Sequence, residues 1–125
     1  MNVTLRLHDE FKRQFRRLSK KYRSLIDDLE IFQKELQENP LQGVDLGSGV
    51  RKIRMTIASK GKGKSGGARV LTLNVLVGDI GGRTEPDFTQ GDEEIDVTLL
   101  TIYDKNEIDN VSDEYIKWLV SGFKK

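Results

Sequence analysis

The eight residues Val70–Val77, read VLTLNVLV, constrain the fold of this chain more than any other segment. The run is too short for a typical helix, rich in β-branched residues and interrupted only by Thr72 and Asn74. That pattern predicts a central strand buried on both faces. The flanking segments supply candidate neighbours. Val3-Thr4-Leu5-Arg6-Leu7 alternates apolar and polar residues and reads as a short strand. Val50–Ile57 has the same period of two, with Ile53, Met55 and Ile57 on a core face and Lys52, Arg54 and Thr56 on a cationic one. Ile95–Tyr103 reads as a further strand.

Elsewhere the apolar spacing changes from two to 3.6. Phe11, Phe15, Leu18 and Tyr22 lie four, three and four apart, one face of an amphipathic helix whose remainder carries Lys12, Arg13, Arg16, Arg17, Lys20 and Lys21. His8 stands at its start as a structural residue. Leu25, Leu29, Phe32 and Leu36 repeat the spacing, with Ser24 as N-cap, Asp27 and Asp28 in the first turn and Asn39-Pro40 as the stop. The two helices read as an antiparallel hairpin joined near residues 21–23. A last helix starts at Ser112, with Ile116, Leu119, Val120 and Phe123 as its apolar stripe and Trp118 as a packing residue. Leu41–Gly49, with three glycines, and Ser59–Gly67 read as loops, and Gly78–Glu94 as a polar connection. The element order is β-α-α-β-β-β-α. It predicts one α+β domain over residues 1–125, with an N-terminal strand and α-hairpin packed on a roughly four-stranded, mainly antiparallel sheet and a C-terminal helix.

Composition excludes several functions. The absence of Cys in 125 residues removes disulfide frameworks and Cys-based zinc or redox sites, and a single His all but excludes a metal site built on imidazoles and a His-based triad. The start carries no apolar signal segment and no run is long enough to span a bilayer, so the expectation is a soluble cytoplasmic protein with no membrane partner. The net charge of +1 hides strong segregation. Residues 1–23 carry eight bases and two acids, residues 24–45 one base and six acids. Residues 46–78 carry seven bases, Arg51, Lys52, Arg54, Lys60, Lys62, Lys64 and Arg69, and no acid. Residues 79–116 carry two bases and twelve acids. The acid-free stretch reads as an anion-binding surface, phosphate first. The competing reading is a solvated surface answered by the acidic block. The basic first helix has the same two readings, a partner surface or a solvated face.

Two phosphate-loop patterns fail on context. Ala58–Ser65 (ASKGKGKS) matches a relaxed Walker A pattern and Gly61–Gly66 (GKGKSG) matches G-x-G-x-x-G. Either cradle needs a helix directly after the loop, and here strand material follows from Ala68.

A longer set of motifs carries a resemblance. Lys20-Lys21-Tyr22 and Asp27-Asp28-Leu29 lie in the helical hairpin, followed by Asn39-Pro40-Leu41-Gln42-Gly43 and Gly49-Val50-Arg51-Lys52-Ile53-Arg54. Gly61–Val70 (GKGKSGGARV) and Leu100-Thr101-Ile102-Tyr103-Asp104-Lys105 complete the set. Over most of its length the chain resembles the RelE/ParE superfamily of type II toxin–antitoxin toxins, with the HigB-like branch nearest. The resemblance implies a metal-independent mRNA endonuclease, commonly acting on the ribosome, with no cofactor. In that chemistry the RNA 2′-OH attacks the adjacent phosphodiester and leaves a 2′,3′-cyclic phosphate and a 5′-OH. It also implies a cognate antitoxin, generally DNA-binding, and leaves oligomeric state open.

By the same resemblance Lys52, Arg54, Arg69 and Lys105 are the catalytic positions. Arg69 holds the scissile phosphate and Lys105 is the general acid. Arg51, Lys60, Lys62, Lys64 and Tyr103 are the candidate substrate-binding residues, Tyr103 either as a packed strand residue or as a stacking platform. Two positions depart from the pattern. Arg54 stands where a general-base lysine is proposed, and a guanidinium is a poor base. Val111 stands where a base-stacking tyrosine is found. Lys60, Lys62 or Lys64 is then left to supply the base. Two other functions compete: a ParE-like, non-enzymatic gyrase inhibitor, and a catalytically degenerate RNA- or protein-binding module of the same fold.

Overall fold

A computed structural model describes residues 2–77, 94–108 and 110–121. The elements run β1 (Asn2–Leu7), α1 (Asp9–Ser19), α2 (Leu25–Glu38), β2 (Val44–Gly47), β3 (Val50–Met55), a 3-10 turn (Ala58–Lys60), β4 (Ala68–Val77), β5 (Glu94–Asp104) and α3 (Asp113–Ser121). The fold is α+β, with three helices and a five-stranded mixed sheet among the described residues. The connection expected over 78–94, as far as residue 93, lies outside the described residues, as does Phe123.

The strand order is β1-β5-β4-β3-β2. β5 pairs in parallel with β1 and antiparallel with β4, and β3 pairs antiparallel with both β4 and β2. The count of four strands is corrected to five, because Val44–Gly47, read as loop, forms the edge strand β2. Its turn into β3 needs three consecutive residues at positive φ, Gly47 (+92°), Ser48 (+55°) and Gly49 (+83°). Glycine adopts that region without the Cβ clash that excludes most residues.

Each side of the sheet carries a core. On one side the hairpin buries Phe11, Leu18, Leu25, Phe32 and Leu36 against Ile53, Met55, Val70, Val97, Leu99 and Ile102. On the other, Leu119 of α3, fully buried, joins Val50, Leu71, Leu73, Leu100 and Tyr103, with Val111, Tyr115, Ile116 and Val120 packed around them. The sequence pattern left that second face of β3 simply cationic. Part of it is a small core under α3. Ser112 caps α3 through its hydroxyl, which accepts from the Tyr115 N–H at 3.1 Å. His8 caps α1 through Nδ1, which accepts from the Glu10 N–H at 2.9 Å. Ser24 precedes α2 but does not cap it by side chain. Its hydroxyl donates instead to Asp28 at 2.7 Å, and Asp28 in turn accepts from the Ala58 N–H at 3.1 Å.

β4 is buried from Ala68 to Leu73, as a central strand should be, but Val75, Leu76 and Val77 are 50%, 45% and 40% exposed. Trp118 is also exposed, stacked on Tyr115 at 5.8 Å between ring centroids. No helix among the described residues is long and apolar enough to cross a membrane.

Candidate functional site

The sheet register assembles the site. Arg54 of β3 lies directly opposite Arg69 of β4, and Arg69 directly opposite Tyr103 of β5. Directly opposed residues on neighbouring strands project from the same face about 5 Å apart. Arg54, Arg69 and Tyr103 therefore form one cross-strand row at the end of the sheet where β3 and β5 finish and β4 begins. Lys52, two residues before Arg54, shares that face, and its ammonium donates to Asn110 Oδ1 at 3.2 Å. Lys105 follows β5 directly, with its backbone N–H on the Gly67 carbonyl at 3.3 Å, at the same end of the sheet.

Two like charges facing each other across a strand pair oppose folding, so how this pair is held matters. Arg69 is buried, only 6% exposed. Its guanidinium donates to the carbonyls of Lys64 (3.2 Å), Ala68 (3.2 Å) and Ser65 (3.1 Å). These bonds satisfy donors without neutralising the charge, and no carboxylate lies within ion-pair distance of Arg69 or Arg54 among the described residues. Burial, followed by the Arg54 guanidinium, lowers the proton affinity of Arg69, with Tyr103 acting the other way. An arginine so placed remains a cation at any ordinary pH.

Tyr103 is 3% exposed and its hydroxyl has no hydrogen-bond partner among the described residues. Burial raises its pKa above the ordinary tyrosine value, against the pull of Arg69. Of the two readings of Tyr103, this burial suits the packed strand residue. Tyr103 lines the floor of a groove of about 810 Å³ between α3 and the β2–β3 turn, together with Lys52, Asn110 and Val111.

The remaining cations of the acid-free stretch are sorted elsewhere. Lys60 lies on the hairpin side of the sheet, its side chain 6% exposed, with its ammonium 2.8 Å from Asp104 Oδ1 and over the Tyr22 ring. Asp104, fully buried, also accepts from the Tyr22 hydroxyl and from the Asn106 N–H at 3.0 Å. Lys60 is thus an anchor between the hairpin, the 3-10 turn and β5, away from the Arg54–Arg69 row. Arg51 points to the same side as Ile53 and braces β2, donating to the Gln42 carbonyl at 3.0 Å and the Gly43 carbonyl at 3.2 Å. Lys64 pairs with Glu35 at 3.1 Å, and Lys62 is exposed in the turn before β4. The fold therefore brings together Lys52, Arg54 and Arg69 on one face, keeps Lys105 at their end of the sheet, and separates Arg51 and Lys60 from them.

Asn110 is the site residue that the sequence did not single out. It sits in the segment before α3 and reaches Lys52 only through the tertiary fold, so no local pattern marks it. A second polar network fixes α3 in place. The Tyr115 hydroxyl donates to Glu10 at 2.7 Å and lies 3.0 Å from the Thr101 hydroxyl. Tyr115 is pushed up to about 12, chiefly by burial, while the Thr101 contact lowers it and Glu10 raises it. No group of three or more His, Asp or Glu side chains that could hold a metal ion occurs among the described residues. No known protein-family model matches this chain, and no solved structure matches it.

Proposed function

We propose that this chain is a metal-independent endoribonuclease of the RelE/HigB kind, the toxin of a type II toxin–antitoxin pair acting in the cytoplasm. The observation that carries the reading is the row of Arg54 and Arg69, joined by Lys52, whose charges meet no carboxylate among the described residues. Fixed cations of this kind favour a polyanion, and they favour most a phosphorus centre that gains negative charge in the transition state. The reading carries with it a RelE-like arrangement of strand, hairpin and sheet, mRNA as substrate, free or on the ribosome, and a DNA-binding antitoxin that covers the cationic face.

In this reading the substrate strand crosses the end of β3, β4 and β5. Arg69, held in place by three carbonyls, and Arg54 beside it offset charge on the non-bridging phosphate oxygens. The 2′-OH attacks phosphorus, the bond to the 5′-oxygen breaks, and Lys105 gives that oxygen its proton. The 2′-OH proton goes to a lysine amine in its uncharged form, and of Lys60, Lys62 and Lys64 only Lys62 has no ion-pair partner among the described residues. A second reading, binding of RNA without cleavage, is favoured by one observation. The row itself holds no proton acceptor, since both guanidinia stay charged and burial raises the pKa of the Tyr103 hydroxyl.

The experiment is to induce the chain, Arg69→Ala and Arg54→Ala in a bacterial host and to map new mRNA 5′ ends. Arg54 is exposed, so its variant keeps the fold and covers the case in which Arg69→Ala loosens the turn. New ends that require both arginines are expected. RNA binding with no new ends selects the second reading, and growth arrest with neither selects a ParE-like gyrase inhibitor.

A further inference from the structure

The α-hairpin carries a cation pattern that the sheet site does not use. On α1, Lys12, Arg16 and Lys20 succeed one another at i, i+4 and i+8, all exposed. Lys20 is the C-cap and keeps a right-handed helical conformation, so the three side chains lie on one stripe about 12 Å long. Arg23 is exposed just beyond. The neighbouring stripe is different: Arg13 pairs with Glu10, and Arg17 and Lys21 pair with Glu107. None of Lys12, Arg16, Lys20 and Arg23 has a carboxylate within ion-pair distance among the described residues.

Like charges at i, i+4 weaken a helix. The attraction of cations to the helix C-terminus accounts for Arg16 and Lys20, which are in or next to the last turn, but not for Lys12. A lipid surface is a poor match, because an interfacial helix inserts its apolar face and here Phe11 and Leu18 are fully committed to the core. A regular row of exposed, unpaired cations suits the regularly spaced phosphates of a nucleic-acid duplex. The hairpin packs on the side of the sheet opposite α3. The stripe is therefore a separate surface from the Arg54–Arg69 row, and a strand lying on that row leaves it open.

We infer that Lys12, Arg16 and Lys20, with Arg23 at their end, form a sequence-independent docking surface for the phosphate backbone of a nucleic-acid duplex. The inference goes beyond the proposed cleavage and does not depend on it. The test measures binding of the full chain to a 20-base-pair RNA duplex and to a DNA duplex of the same sequence, across salt concentrations. It compares the Lys12→Gln/Arg16→Gln/Lys20→Gln variant with an Arg6→Gln/Lys34→Gln control, whose charges pair with Asp96 and Glu30. Three duplex contacts are worth about 2.7 in the slope of log K against log salt, so the triple variant should lose that slope and on the order of a hundredfold in affinity at 0.1 M salt. The control should change the slope by less than about one. The two duplexes identify the source: preference for either one keeps the surface and names its partner. Equal losses in the triple variant and the control would reduce the effect to net charge and overturn the inference. So would an unchanged slope in the triple variant, or loss of binding to anionic vesicles alone. Cleavage mapped separately on a single-stranded oligonucleotide should persist in the triple variant, which keeps this outcome distinct from failure of the endonuclease reading.

Discussion

Replacing Asp104 with Asn should destabilise this protein more than any single change at the cationic face, for a reason that lies in its partner. Asp104 is fully buried and its carboxylate takes the Lys60 ammonium, the Tyr22 hydroxyl and the Asn106 N–H. Asn keeps the shape and some of the hydrogen bonds but leaves the ammonium of Lys60, whose side chain is 6% exposed, with no counter-charge. Breaking a buried pair from one side typically costs about 3–5 kcal/mol, and the lower end, about 3 kcal/mol, applies here because the Lys60 ammonium keeps the Tyr22 ring beneath it. The double variant Lys60→Met/Asp104→Asn removes the stranded charge and should cost only about 1 kcal/mol, since apolar replacement of a buried pair is often close to neutral. Urea unfolding followed by circular dichroism measures both variants together with the single variant Lys60→Met, and the cycle should return a coupling of about 2 kcal/mol or more. A cost below about 1 kcal/mol for Asp104→Asn, with the double variant simply additive, would refute the anchor. RNA affinity provides a second check. Because Lys60 is on the hairpin side, the folded double variant should bind RNA like the parent, and a large loss would return Lys60 to the substrate surface.

Acid, Glu10→Gln and two glycine substitutions test the rest of the fold. Glu10 and Asp104 both have pKa values below their ordinary 4.5 and 3.8. In each case burial raises the value and is outweighed, for Glu10 by bonds from Tyr115, Arg13 and Gln14, and for Asp104 by those from Lys60, Tyr22 and Asn106. Folded-state values depressed in this way contribute stability that is present above the ordinary values and is lost as pH falls through the folded ones. The urea midpoint should therefore fall as pH drops below about 4, and Glu10→Gln should flatten that fall. Gly67→Ala should cost about 3 kcal/mol, because an added Cβ would lie 2.2 Å from the Met55 carbonyl oxygen, which is backbone and cannot rotate away. Gly61→Ala, at φ +68° with open space around it, should cost about 1 kcal/mol in the same urea titration.

What the sequence revealed and what it hid divide along physical lines. The hairpin, the β3 alternation and α3 were legible because each buries a face at its own period. Of the eight residues whose spacing marks the helices, Phe11, Leu18, Leu25, Phe32 and Leu36 are buried, and Phe15, Tyr22 and Leu29 pack partly buried against the same core. β2 was not legible. Val44-Asp45-Leu46 offers a single alternation between glycines, all four residues of the strand are exposed, and the pairing with β3 supplies the order. Its only local signal is Gly47-Ser48-Gly49, the left-handed turn that leads into β3. The parallel pairing of β1 with β5 was hidden for a different reason, since the two strands are far apart in the chain and periodicity carries no register. The extra residue Leu100 in β5, opposite the Leu71–Thr72 step, is likewise visible only once the strands pair.

The candidate site shows the same division more sharply. An acid-free stretch marks Arg51, Lys52, Arg54, Lys60, Lys64 and Arg69 alike, because a sequence counts charges without assigning partners. Folding separates them by the kind of acceptor each one meets. Lys60 and Lys64 meet carboxylates, Asp104 and Glu35, that come from other segments of the chain and cancel their charge. Arg51 and Arg69 meet carbonyl oxygens, Arg51 with Asp45 nearby at 3.8 Å and Arg69 with no acid within ion-pair distance among the described residues. A carbonyl satisfies a donor and holds the guanidinium still, yet it leaves the full positive charge to act on whatever approaches. Arg69 is thus both fixed and uncompensated, beside a second guanidinium that repels it. An anion placed between the two would relieve that repulsion. This is why the Arg54–Arg69 pair, rather than the more numerous lysines of the turn, is the part of the cationic stretch on which the functional reading rests.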